Sequence, residues 1–303
     1  MKIFKNNNNV VRSGWKIASL YFTFSITTII FSGIFGLIYS VIFYNKNHEL
    51  SLSESDSLRE QFSGMSHFPG ICLYLIQCIT LIFLVVLFWK LWDKGKIRDI
   101  GLTNIKSSWI QLCTGLFIGA ISFTTVAIIL ISTKSVELVN NFSKPNFSGS
   151  LIIQLIIFIF VGINEELFSR GYCMTVLKQT KMSWAPIVVS SIIFALMHSL
   201  NSGISLFAYI NLFLFGITMG YIFIKTKNIW MCIGYHITWN YFQGDVFGFL
   251  VSGNATDSIY TVRTISPNII NGGSFGPEGG IVVTILLLLT IFLVYKFLPY
   301  SEA

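Results

Sequence analysis

The sequence predicts an all-α, polytopic transmembrane helix bundle of about eight spans with both termini in the cytosol. Three observations predict it. The first is composition: 53% of the 303 residues are hydrophobic and 11% are charged, against roughly 25% charged in ordinary soluble domains, and the mean hydropathy is +0.71. The second is the recurrence of apolar runs near 20 residues, the length that crosses a hydrocarbon core about 30 Å thick. The third is where the basic residues fall between those runs.

The runs cover about 15–44, 71–92, 108–132, 150–176, 184–200, 204–224, 228–250 and 281–298. The fifth and sixth are short and nearly continuous, which fits a hairpin turning at the membrane surface. With the N-terminus inside, the cytosolic segments hold Lys2, Lys5, Arg12, Lys16, Lys90, Lys94, Lys96, Arg98, Lys106, Lys178, Lys181, Lys225, Lys227 and Lys296. The outer loops hold only Lys46, Arg59, Lys134, Lys144 and Arg263, together with the acidic residues Glu49, Glu54, Asp56 and Glu60. Lys and Arg collect on the cytosolic side of membrane proteins, so this asymmetry supports the map. It also accounts for the net charge of +7 without a nucleic-acid partner.

The first span follows a basic start as a signal peptide would. Its apolar run is too long and ends in no small-residue cleavage site, so it reads as a retained anchor. Asn6 to Asn9 form a polar stub expected to be disordered. Cys72, Cys78, Cys113, Cys173 and Cys232 stand singly in apolar stretches and read as small core residues, not as a disulfide framework. Gly115 with Gly119 and Gly216 with Gly220 have the small-x-x-x-small spacing of helix contacts. Of the two long outer loops, about 45–70 and 251–280, the second is glycine-rich. An irregular surface loop is the favoured expectation for it over a lid or re-entrant segment. The chain is expected to form one membrane-embedded domain, residues 1–303.

Polar residues inside spans are costly, at least ~2.5–3.5 kcal/mol for a central charge, and are functional candidates by default. The fourth span holds Asn164-Glu165-Glu166-Leu-Phe-Ser-Arg170. Adjacent helical residues point about 100° apart. Glu166 therefore shares a face with Arg170, four residues on and in the favourable order, whereas Glu165 does not. An unpaired carboxyl in low dielectric suits a general base. The fifth span ends in His198, and the seventh carries His236 and Asn240 on one face. Each is more often structural when taken alone. Together, one carboxylate, two imidazoles and a carboxamide suit water activation and oxyanion stabilisation. Glu and His are also zinc ligands, so a zinc site on Glu165, His198 and His236 stays open at this point.

At these residues the sequence resembles the CAAX protease and bacteriocin-processing family of membrane-embedded glutamic endopeptidases. Glu165-Glu166-x-x-x-Arg170, Phe194-x-x-x-His198 and His236-x-x-x-Asn240 match its three motifs in order. The clear match covers about 150–245, and a catalytic core over 150–250 is expected. The resemblance implies that Glu165, His198, His236 and Asn240 are catalytic, that Glu166 and Arg170 support them, and that no cofactor is needed. It implies a membrane-associated peptide or protein as substrate. Bacterial relatives are associated with bacteriocin maturation or self-immunity. The Asn-, Ile- and Lys-rich usage suggests a bacterial cell membrane, where a prenylated substrate is not expected. The rival functions are a zinc peptidase on the same residues, a non-catalytic immunity or scaffold protein and, more weakly, a proton-coupled transporter. Lys178, Lys181, Lys225 and Lys227 flank the motif helices and suit either an acidic substrate tail or anionic lipid.

Overall fold

The computed structural model describes residues 3–6, 9–47, 52–62 and 64–300. Lys2, Asn7, Asn8, His48 and Glu49 lie outside the described residues. The described chain is predominantly helical: α1 (Ser13–Asn47), α2 (Leu52–Phe62), α3 (Phe68–Phe88), α4 (Ile105–Ser132), α5 (Ser150–Glu166), α6 (Met174–Leu177), α7 (Ala185–Met197), α8 (Leu206–Thr226), α9 (Trp230–Tyr241) and α10 (Ile281–Phe297). Two three-residue strands, β1 (Val136–Leu138) and β2 (Val262–Thr264), pair antiparallel with Glu137 opposite Arg263. Helix starts follow local chemistry. Asn104 Oδ1 accepts from the Lys106 amide to open α4, and Ser205 Oγ accepts from the Ala208 amide to open α8. Three helices run on as π-helix, α3 through Trp89–Asp93, α5 through Leu167–Cys173 and α9 through Phe242–Val246.

A helix occupies each of the eight expected runs, but among the described residues only five helical segments are both long and apolar enough to cross a membrane: Ser13–Asn45, Phe68–Asp93, Ile97–Ser132, Ser150–Thr180 and Leu206–Thr226. The fifth, seventh and eighth expected spans are the shorter helices α7 (13 residues), α9 (12) and α10 (17). At 1.5 Å per residue α7 extends only about 20 Å.

The bundle is built around α9. It packs on α4 where glycines let two backbones meet. A Cβ on Gly119 would lie 2.3 Å from the Tyr235 carbonyl oxygen, and one on Gly115 2.1 Å from that of Met231. On its other sides α9 meets α5 and α8, while α7 and α10 cover α8 and α1 lies on α3, which also packs on α5. At the centre Tyr235 stacks on Trp239, and Phe123 and Phe215 meet that pair edge-to-face.

The ends of the bundle are distinct. At one end the start of α1, the π-segment after α3 and the turn after α6 are joined by Lys16 paired with Asp93 and by Ser13 N–H donating to Gln179 Oε1. The start of α9 reaches the start of α4 there, through Trp230 Nε1–H donating to the Thr103 carbonyl at 3.0 Å. At the other end the α7–α8 loop, the β1–β2 ribbon and residues 251–280 close together, with Asn201 Nδ2 donating to Ser252 O and Asn271 Nδ2 to Ser135 O.

Several expectations are corrected here. Residues 251–280 are a surface loop only in part: 263–270 are exposed, whereas Asn271, Phe275 and Glu278 are buried where the end of the segment folds inward to roof the bundle. The 45–70 loop contains the helix α2. Of the polar stub, Asn7 and Asn8 lie outside the described residues; around them Lys5 is bridged to Val11 and Asn6 Oδ1 accepts from the Val10 amide. Lys225 is buried, its ammonium donating to the Tyr295 and Leu298 carbonyls at the end of α10; it satisfies orphan helix carbonyls and is not a surface charge for a substrate tail or lipid. Cys113 is exposed, unlike the buried Cys78, Cys173 and Cys232.

Candidate active site

Glu165 and Glu166 are the last two residues of α5, where the helix passes into its π-segment. Such widened turns re-aim side chains and recur at functional sites. The two carboxylates face different surroundings. Glu166 is fully buried and stands against Arg170, which is 1% exposed. Arg170 Nη1 donates to Glu166 Oε1 at 3.2 Å. Its Nε lies 3.2 Å from Oε2, close enough for an ion pair but off the hydrogen-bonding direction. The guanidinium also sits 4.5 Å over the Phe194 ring.

Glu165 is turned into a cavity of about 440 Å³. Its Oε2 is buried without a hydrogen-bond partner among the described residues. It lies 3.9 Å from His198 Nε2 and 3.8 Å from His236 Nε2. His198 caps the C-terminus of α7, and its Nδ1 bonds to the Phe194 carbonyl at 2.9 Å. A carbonyl only accepts, so Nδ1 carries the proton and Nε2 presents a lone pair. His236, at mid-α9, is held in the same sense from the other side: Nδ1 donates to Glu166 Oε1 at 2.9 Å. Asn240, one turn on from His236 on the same face, is buried and lines the cavity. Glu165, His198, His236 and Asn240 thus share one cavity, while Glu166 and Arg170 stand behind it.

Three acceptors therefore converge in the neutral state, one carboxylate oxygen and two imidazole nitrogens. A water among them can donate to two. Ligands about 2.0–2.1 Å from a tetrahedral zinc would stand roughly 3.4 Å apart, closer than Glu165 Oε2 stands to either imidazole. Among the described residues no group of three or more His, Cys, Asp or Glu is placed to hold a metal ion.

The sequence reading missed part of the lining. Glu278, in the glycine-rich segment, is buried and reaches the cavity. Its Oε2 accepts from the Ser252 amide at 2.7 Å and hydroxyl at 2.8 Å, and its Oε1 from Trp239 Nε1 at 3.3 Å. Asn211 Nδ2 holds the Glu278 and Gly280 carbonyls at 2.7 and 2.9 Å. Glu278 therefore clasps the roof to α9 beside Asn240. A carboxylate a few residues ahead of the last apolar run was the available signal. The Glu166–His236 bond was also missed; nothing in local spacing announces it.

Residues 147–242 match the family model described as type II CAAX prenyl endopeptidase, Rce1-like. No curated protein and no solved structure matches the chain. The match spans Glu165, His198, His236 and Asn240, and with five helices able to cross a membrane it supports a multi-pass membrane protease of the CAAX type. The matched segment supplies the cavity's Glu165, His198, His236 and Asn240, while α3 and the roof segment complete its lining, and the resemblance read from the three motifs stands.

Proposed function

We propose that the chain is a glutamic intramembrane endopeptidase, one membrane-embedded domain whose catalytic core is residues 150–250. All eight helical runs lie within or across the bilayer, with both termini in the cytosol of a bacterial cell. The observation that carries the reading is the convergence of Glu165 Oε2 on the Nε2 atoms of His198 and His236 in one polar cavity.

In this reading a water sits between Glu165 and His198 and gives its proton to that pair as it attacks the scissile carbonyl. The oxyanion that forms is met by Asn240 and by His236. His236 enters the step with both ring nitrogens protonated, so that Nε2 donates to the oxyanion while Nδ1 stays bonded to Glu166. An oxyanion donor of this kind is worth ~2.7–4 kcal/mol of barrier. The proton held by Glu165 and His198 then passes to the leaving amine. Arg170 holds Glu166 in place.

The test is a comparison of membrane peptides from cells carrying the wild type and Glu165→Gln. Peptides whose abundance depends on Glu165, with equal amounts of folded protein in both strains, support an endopeptidase. Identical peptide sets would sink it in favour of a non-catalytic immunity or scaffold protein.

A further inference from the structure

The cavity has a mouth, and the mouth is at one end of the bundle. Its exposed lining comes from the α7–α8 loop, where Leu200 is 99% exposed and Ser202 is exposed beside it. Gly64 and Met65, ahead of α3, and Ser252 and Asn254, from the roof segment, line it too. Toward the other end the cavity is closed. Below Glu165 the chain from Glu166 to Met174 is buried, with Glu166, Phe168, Arg170, Tyr172 and Met174 each at most 1% exposed.

The closed end is the basic one. Lys5, Arg12 and Lys16 stand at the start of α1, Lys90, Lys94, Lys96 and Arg98 after α3, and Lys106 at the start of α4. Lys178 and Lys181 follow α6, Lys225 and Lys227 end α8, and Lys296 ends α10. The mouth end has Lys46, Arg59, Lys134, Lys144 and Arg263, and Arg263 is paired with Glu137. Basic residues next to spans are retained in the cytosol, so the closed end is cytosolic. One wall of the cavity also reaches the flank of the bundle, because Gln77, exposed on the apolar helix α3, lines it.

We infer that the cavity takes its substrate from the extracytoplasmic side: the substrate is a membrane-anchored peptide or protein cut in a segment outside the cytosol, its anchor remaining in the bilayer beside α3. A cytosolic carboxy-terminal tail would meet the closed end. The substrate part of this inference rests on the peptidase reading above; the side of the mouth does not.

Single cysteines are placed at the mouth, Leu200→Cys and separately Ser202→Cys, and at the closed end, Lys178→Cys, in the full chain with its five native cysteines replaced. Intact cells or spheroplasts are treated with a membrane-impermeant maleimide. Labelling at 200 and 202 is expected at the same level before and after permeabilisation, and labelling at 178 only after it. The reverse pattern overturns the inference. The Glu165→Gln peptide comparison scores the peptidase reading separately. Glu165-dependent peptides drawn from extracytoplasmic segments support the substrate class, and the same peptides drawn from cytosolic segments overturn it while leaving the peptidase intact. Outside labelling with no Glu165-dependent peptide keeps the mouth where it is placed and sinks the peptidase.

Discussion

Replacing Glu166 with Gln leaves the shape of the site almost unchanged and removes one charge. The loss falls on Arg170, which is 1% exposed and has no second carboxylate among the described residues. Its other contacts, the Gly216 carbonyl at 3.5 Å and the Phe194 ring at 4.5 Å, exist already and offer no compensation. Breaking a buried ion pair from one side costs about 3–5 kcal/mol. The new amide oxygen recovers one hydrogen bond, worth roughly 1 kcal/mol, so a net loss of about 2–4 kcal/mol is expected. Glu165→Gln is the internal control. Its carboxylate has no partner nearer than 3.8 Å, and its loss should cost under about 1 kcal/mol. Equilibrium unfolding of both variants in one detergent, followed by Trp fluorescence, measures the difference. A third protein, Glu166→Gln with Arg170→Met, removes the stranded cation as well and should recover much of the stability. Equal losses for Glu165→Gln and Glu166→Gln, or no recovery in the double variant, would refute the reasoning. Glu166→Gln should also lower activity, because the same carboxylate holds His236 Nδ1 at 2.9 Å.

Gly119→Ala forces a Cβ to within 2.3 Å of the Tyr235 carbonyl oxygen, so α4 and α9 must part; a loss of about 1–3 kcal/mol should appear in unfolding, with reduced activity because α9 carries His236 and Asn240. Glu278→Gln turns one acceptor oxygen into an NH2 donor; with the amide oxygen kept on the two Ser252 donors, Trp239 Nε1–H loses its acceptor, and the roof should loosen from α9 by about 1–3 kcal/mol, seen as faster limited proteolysis within 251–280; an unchanged cleavage rate would show that Glu278 is not the clasp. Purified protein should keep its activity in strong chelator and carry well under one zinc per chain; stoichiometric zinc, with activity lost in chelator and restored by zinc alone, would overturn the glutamic mechanism and leave the site residues standing.

Whatever depends on helix geometry alone was legible in the sequence. Apolar runs located eight helices, because burying or immersing 12 to 35 residues of helix needs a matching length of apolar side chains. The 3.6-residue turn put Glu166 beside Arg170 and left Glu165 free to face elsewhere, and it put Asn240 on the face of His236. These relations span four residues and are fixed as soon as the helix forms. The relations that no local spacing announces join segments far apart in the chain. Glu166 bonds His236 70 residues away, and Glu278 bonds Trp239 39 residues away. The burial of Lys16 and Lys225 is of the same kind, set by Asp93 and by the end of α10. Residues 251–280 have no hydrophobic period to read, so their shape comes from the groups they meet, Asn211, Ser135 and Asn201. Helical spacing is a property of the backbone and is written in the sequence; which helix faces which, and at what depth, follows from the packing of the whole bundle.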